Sequence, residues 1–271
     1  MKLSVWSSYY YELTPEDAVL EYEKHGYHYC ELSDEHAQVL MERGDCTEIG
    51  KQFKAFADAH GVSFSQGHMI LNIKLCEDGS VDILKRQLDL FKAIGVKAAV
   101  LHCDSLLRFP DMPLEEKLAK NKEALRTLLE YIADTDMVIC LENLRHPSIV
   151  KTAESLLYFI DELKSPNLGI CLDTGHLNTT ENKSQMEFIQ KAGKHIKALH
   201  IADNEGVTDQ HMMPFGRGTV DIIEVIREMK KIGYDGLYNL EIPGEKKGPY
   251  PIRGYKLDYI KRVFEYLDNE I

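Results

Sequence analysis

A chain of 271 residues, 44% hydrophobic and 28% charged, has enough apolar material for a large core in one or two domains. Its formal net charge of −12 opposes binding to polyanions, because nucleic-acid binders present basic patches. No apolar run is long enough to span a bilayer, and the opening MKLSVWSSYYYEL lacks the apolar stretch and small-residue cleavage site of a signal peptide, so a cytoplasmic protein with no membrane partner is expected.

In chain order, Leu3–Ser7 is a short apolar strand, followed by an aromatic loop through Leu13 that carries Tyr9, Tyr10 and Tyr11. Thr14-Pro15-Glu16-Asp17 is a helix start, with a capping hydroxyl, proline in the first turn and acids after it; that helix stops at Gly26. Tyr27–Leu32 reads as the second strand, Thr47–His60 as a helix stopped by Gly61, and Val62–Gln66 as the third strand, followed by Gly67-His68. An amphipathic helix over Val81–Ile94 stops at Gly95, and the fourth strand, Val96–Leu101, is tipped by His102. A long helix from Leu114 to about Ala133 leads to the fifth strand, Met137–Leu141, tipped by Glu142. Thr152–Leu163 is a helix broken by Ser165-Pro166-Asn167, and Leu168–Leu172 is the sixth strand, ending in Asp173.

Ser184–Gly193 is helical, Ile196–Leu199 is the seventh strand, tipped by His200, and a long loop rich in Asp, His and Gly follows. Asp221–Ile232 is a helix stopped by Gly233, Gly236–Leu240 is the eighth strand, tipped by Glu241, and Gly254–Asp268 is the last helix. Eight strand–helix units in strict alternation imply a parallel sheet, and eight within this length imply one closed (β/α)8 TIM barrel over residues 1–271. None of the six cysteines forms a C-x-x-C pair, so they read as small buried hydrophobes, with neither a zinc ribbon nor a disulfide framework.

His68, His102, Glu142, Asp173, His200 and Glu241 fall at or just after the ends of strands three to eight. In a barrel those ends share one mouth, where active sites lie. A tip residue alone is readily a loop side chain or a helix cap, and Asp173 before Thr-Gly-His is an equally good N-cap. Six consecutive tips of metal-ligand type are not explained by capping. The loops add His176, three after Asp173, and Asp209-Gln210-His211 followed by Pro214-Phe215-Gly216-Arg217-Gly218. The Gly-Arg-Gly step permits close backbone approach to a ligand, with Arg217 holding an anionic or hydroxylated substrate or else solvated in a turn. Asp221 reads as an N-cap, and Asp203 as structural.

Glu142 in CLEN, Asp173 and His176 in CLDTGH, His200 in LHIAD, the D-x-H-x-x-P-x-G-x-G run from Asp209 and Glu241 in LEIPG resemble the xylose-isomerase-like barrel superfamily, which includes sugar and sugar-phosphate isomerases and epimerases and endonuclease IV. By that resemblance Glu142, Asp173, His200 and Glu241 are expected to hold one divalent metal, Mn²⁺, Mg²⁺, Co²⁺ or Zn²⁺, with Glu142 and Glu241 as the acid–base pair. His176 and Arg217, and with them His68, His102 and Trp6, are expected to face a carbohydrate substrate. The expected reaction is proton transfer through a metal-stabilised enediolate, giving epimerisation or aldose–ketose isomerisation.

The endonuclease IV branch implies up to three zinc ions, with His68, His102, His176, Asp209 and His211 as additional ligands, and cleavage of abasic DNA. The loops after the first four strands carry Glu12, Asp34, Glu35, Glu77, Asp78, Asp104 and Asp111 against the scattered Lys74, Arg108 and Arg145, which favours a small-molecule substrate over nucleic acid. A hydroxy-ketone dehydratase or lyase begins with the same proton removal, and a non-catalytic binding protein would not need the paired glutamates. Trp6 and the tyrosines form either an apolar wall against a sugar or core packing, and Lys246, Lys247 and Arg253 either meet a phosphate or lie in a solvated loop. A homo-oligomer is compatible with all of these readings.

Overall fold

The computed structural model describes residues 1–181, 184–244 and 248–271. Its strands are β1 (Lys2–Trp6), β2 (Tyr29–Leu32), β3 (Ser63–His68), β4 (Ala98–Leu101), β5 (Val138–Glu142), β6 (Leu168–Asp173), β7 (Ile196–Ile201) and β8 (Leu237–Leu240). All neighbours pair in parallel, and β1 pairs with β8 to close a single (β/α)8 barrel. The helices are α1 (Pro15–Lys24), α2 (Asp34–Met41), α3 (Cys46–Ala59), α4 (Ser80–Ile94), α5 (Leu114–Tyr131), α6 (Ala153–Leu163), α7 (Thr174–Asn178), α8 (Gln185–Ala192), α9 (Ile222–Lys231) and α10 (Tyr250–Glu270).

Local chemistry sets most of these boundaries. Thr14 Oγ1 accepts from Asp17 N at 3.1 Å, and Asp221 Oδ1 accepts from Glu224 N at 2.9 Å, so both caps stand as read. Three helices differ from the sequence reading, one of them being α7, a five-residue helix directly after β6. β2 and β3 are joined by two helices, because Ser33 caps α2 through His36 N. α10 begins four residues before Gly254, which lies inside the helix where an added Cβ would fall 2.4 Å from the His25 ring.

The main core lies between strands and helices, while Ala98, Val100, Cys140, Cys171 and Ala198 form a second, small-residue cluster. All six cysteines are free. Tyr9 and Tyr10 are fully buried, so they belong to the core and not to a substrate wall; Tyr11 is exposed. Arg253 is neither solvated nor free for a phosphate. It is buried, pairs with Glu12, donates to Tyr9 O, and lies 4.5 Å over the Tyr10 ring. Lys246 and Lys247 lie outside the described residues. Among the described residues no helix is long and apolar enough to cross a membrane.

Removing one partner of a buried ion pair strands the other and costs about 3–5 kcal/mol. Since Glu12 is partly exposed, Arg253→Met is expected to lower stability by about 3 kcal/mol, read as a reduced urea midpoint; an unchanged midpoint would refute the anchoring role.

Candidate metal centre and active site

The parallel register delivers the tip residues to one mouth. His68 closes β3, His102 follows β4, Glu142 closes β5, Asp173 closes β6, His200 is next to last in β7, and Glu241 follows β8. Asp173 lies beside His200, and His200 beside Asn239. All six are buried except His102, which is partly exposed.

Glu142 is the hub. Its Oε2 lies 2.9 Å from His102 Nε2 and 3.3 Å from His68 Nε2, and its Oε1 lies 3.0 Å from His176 Nδ1 and 3.5 Å from His200 Nδ1. Glu142, Asp173, His200 and Glu241 each offer one ligand atom, and these four atoms lie within 4.8 Å of one another. In each of the four, one buried atom lacks a hydrogen-bond partner: Glu142 Oε1, Asp173 Oδ2, His200 Nδ1 and Glu241 Oε2. Buried polar atoms are normally satisfied, so four orphans at one point make this a candidate cation site. Mixed oxygen and nitrogen donors without thiolate suit a hard or borderline divalent ion.

Asp173 answers both sequence readings at once. Its Oδ1 accepts from His176 N at 2.5 Å and caps α7, which leaves Oδ2 for the centre. Asn143 clamps the same residue, accepting from Asp173 N at 2.8 Å and donating to Asp173 O at 2.9 Å. The cap therefore fixes the carboxylate at the centre instead of drawing it away.

A second group, His176, Asp209 and His211, also has ligand atoms within 4.8 Å. Asp209 lies 3.1 Å from His176 Nε2 and 3.1 Å from His211 Nε2. His68, Glu142 and His200 form a third such group sharing two residues with the first.

The charges are closely coupled. Burial favours a neutral Glu142, yet His200 and His102 hold its carboxyl well below the usual range. Burial likewise opposes ionisation of Glu241, but His200 and His211 bring it down to about 2. Burial, with the charges of Glu142 and Glu241 and against the pull of His176, pushes Asp173 up to about 7. The imidazoles answer this charge despite their burial: the neighbouring carboxylates hold His176 and His200 well above the usual imidazole range, His68 up to about 9 and His211 up to about 10.

The remaining expected site residues are placed as follows. Trp6 is partly buried and donates through Nε1 to Ile242 O at 2.9 Å. Arg217 is 73% exposed and pairs with Glu205 at 2.9 Å within its own loop. The close approach permitted at Gly218 is to Asp203, whose carboxyl an added Cβ would meet at 2.0 Å; Asp203 itself accepts from Asn204 N and Val220 N.

Sequence reasoning passed over Glu31, which is fully buried on β2 with Oε1 3.0 Å from His200 Nε2. Its signal was a lone charge in an otherwise apolar strand, one residue from the strand end, as with His200. Asp34 and Glu35 were noted only as loop acids. Asp34 is buried, accepts from Leu71 N and Gln38 Nε2, and is pushed up to about 7 by burial and by Glu35.

The model of the xylose isomerase-like TIM barrel family matches residues 19–267, and the chain belongs to that family. An uncharacterised protein, MJ1311, of Methanocaldococcus jannaschii is 30% identical over 80% of this chain and 71% of its own. An L-ribulose 3-epimerase of Methylomonas is 29% identical over 59% of this chain and 54% of its own. A probable endonuclease 4 of Mycoplasmopsis pulmonis is 28% identical over 50% and 54%. Of these last two the chain spans about half the length. The crystal structure of a D-tagatose 3-epimerase-like protein superposes with a TM-score of 0.80 over 100% of this chain and 99% of that one, at 22% identity.

The donor set leads to a thermal-shift experiment. Adding Mn²⁺, Co²⁺ or Zn²⁺ to chelator-treated protein is expected to raise Tm, with about 2.7 kcal/mol of stabilisation at a hundred times Kd. Asp173→Asn keeps the cap oxygen but loses most of this shift; no shift in the parent chain would remove the cation site. Asp34 predicts a pH dependence. Its folded-state pKa lies above its ordinary 3.8, so its contribution to stability is complete below about pH 4 and is lost as pH rises through about 7. Asp34→Asn, a mimic of the neutral acid, should melt above the parent near pH 8 and match it near pH 4. Parallel Tm–pH curves would contradict this.

Proposed function

We propose that this protein is a divalent-metal-dependent epimerase or isomerase of ketose sugars or their phosphates. The observation that carries the reading is the pairing of Glu142 and Glu241. Both are buried, both are held in the ionised form, and each keeps one unpartnered oxygen at the same point. A carboxylate that is ionised, desolvated and fixed can take a proton from carbon beside a carbonyl. A divalent ion held by Glu142, Asp173, His200 and Glu241 would supply positive charge where negative charge develops on substrate oxygen.

The two glutamates stand on β5 and after β8, with strands β6 and β7 between them around the barrel. A sugar lying between them presents opposite faces of one carbon to the two carboxyls. One glutamate accepts the proton from that carbon and the other delivers a proton to the opposite face, inverting its configuration. Return of the proton to the neighbouring carbon gives the aldose–ketose isomer instead. His176, fixed between Asn143 O at 3.1 Å and Asp209, lies at the same mouth, where it lines the substrate space beside Glu142. The relatives named as sugar epimerases support this substrate class.

A phosphodiesterase reading has in its favour the three groups of metal-ligand side chains, two of which overlap, and the relative named as a probable endonuclease 4. The basic side chains near the mouth speak against it. Arg217 pairs with Glu205, Lys74 with Glu77, and Arg108 with Asp104 and Ile73 O, while the Lys117 ammonium donates to Leu106 O. Among the described residues Arg145 also lies 3.9 Å from an acid, Asp209, so these arginines and Lys74 stand beside carboxylates that would repel a duplex.

A panel of ketoses and ketose phosphates incubated in heavy water with Mn²⁺ or Co²⁺ should show solvent deuterium entering the carbon next to the carbonyl. Glu142→Gln and Glu241→Gln should each lower turnover by about 10²–10⁴-fold while retaining measurable metal affinity. Full turnover in either variant would refute the two-base mechanism. Three tightly held zinc ions with cleavage of abasic DNA would replace the proposal with the nuclease.

A further inference from the structure

We infer that Glu31 is a positioning residue that sets His200 as a metal donor, through a relay running across the floor of the site. The inference rests on the reading of Glu142, Asp173, His200 and Glu241 as a cation site. The relay has four members on four strands. Ser4 Oγ of β1 donates to Asn239 Oδ1 of β8 at 2.8 Å, Asn239 Nδ2 donates to Glu31 Oε2 of β2, and Glu31 Oε1 faces His200 Nε2 of β7 at 3.0 Å. Pairing registers place Ser4 beside Asn239 and Asn239 beside His200, so the barrel's closure brings the relay together. All four residues are fully buried.

The direction of the hydrogen bonds decides the chemistry. Ser4 donates to Asn239 Oδ1, which orients the amide so that its NH₂ faces Glu31. Glu31 then has one oxygen occupied by that donor, and a carboxylate oxygen turned toward the imidazole accepts. One proton of His200 is thereby held on Nε2, so that Nδ1, turned to the centre, is the nitrogen that gives up its proton when a cation binds. Nδ1 is the atom without a partner, 3.3 Å from Glu241 Oε2 and 3.5 Å from Glu142 Oε1. A ligating histidine whose other nitrogen donates to a carboxylate is fixed in tautomer and made a stronger donor.

A purely structural role does not account for Glu31. Among the described residues no lysine or arginine pairs with it; its ion-pair partner is His200. A buried carboxylate facing only an amide and an imidazole is costly, and glutamine would fill the same space without the charge. The charge becomes useful when the imidazole it polarises serves a cation on its far side.

The test measures Mn²⁺ affinity of metal-stripped protein by calorimetry, alongside Tm of the stripped protein and ¹⁵N chemical shifts of the histidine rings. Glu31→Gln is expected to bind Mn²⁺ about 10–100-fold more weakly, with the His200 ring no longer held as the Nε2-protonated tautomer. Ser4→Ala, which removes only the far hydroxyl, keeps the charge and is expected to weaken binding by a smaller factor. A Glu31→Gln protein that folds, keeps the tautomer and binds Mn²⁺ as the parent does would overturn the inference. If that variant does not fold, unchanged affinity in Ser4→Ala overturns it and weakened affinity at unchanged Tm supports it. A parent chain that binds no Mn²⁺ would instead defeat the cation site itself, a separate outcome.

Discussion

The constraint on which the rest of this structure depends is the burial of negative charge at the barrel mouth. Glu142 touches four imidazoles with its two oxygens, yet Asp173 and Glu241 press their own carboxylates against the same point. Such an arrangement is unfavourable in a dry interior unless cations or hydrogen-bond donors answer it. The protein answers with rigid geometry. Parallel strands hold the donors at fixed register, a cap consumes one Asp173 oxygen, Asn143 ties β5 to β6, and Glu31 steadies His200 from behind. The side chains are thus held near one another before any ligand arrives, which is what preorganised catalysis requires.

Chemistry at such a site is divided by location. Asp173 and His200 lie side by side in register, while Glu142 and Glu241 come from strands separated around the ring. The second group, His176–Asp209–His211, sits on α7 and the loop after β7 and abuts Glu142 through His176. The scaffold thus places a second set of ligand-type side chains beside the first.

Much of this was legible from residue order. A short strand followed by a helix repeats eight times, with glycine stops at Gly26, Gly61, Gly95, Gly193 and Gly233, and that alternation implies a parallel barrel. The strand-end rule then marked His68, His102, Glu142, Asp173, His200 and Glu241 without any contact being known. Three things were not legible. α2 was passed over because its Ser33 cap and short amphipathic turn sit between a strand and a longer helix. Arg253 looked like loop charge because nothing local signals that Tyr10 and Glu12, more than two hundred residues away, enclose it. Glu31 sat on β2, which like β1 has no histidine at its end, and its partners lie on β7 and β8.

Sequence by itself therefore determined the eight strands, their alternation with helices and the tip residues as candidate donors, because hydrophobic period, caps and glycine stops act over a few neighbouring residues. Only the tertiary structure decided which donor atoms are left unpaired, which oxygen of Asp173 caps and which faces the centre, and which nitrogen of His200 is turned toward Glu31. Those outcomes depend on the closure of β1 against β8 and on register across the barrel, and they join residues such as Glu31 and His200 that no local pattern connects.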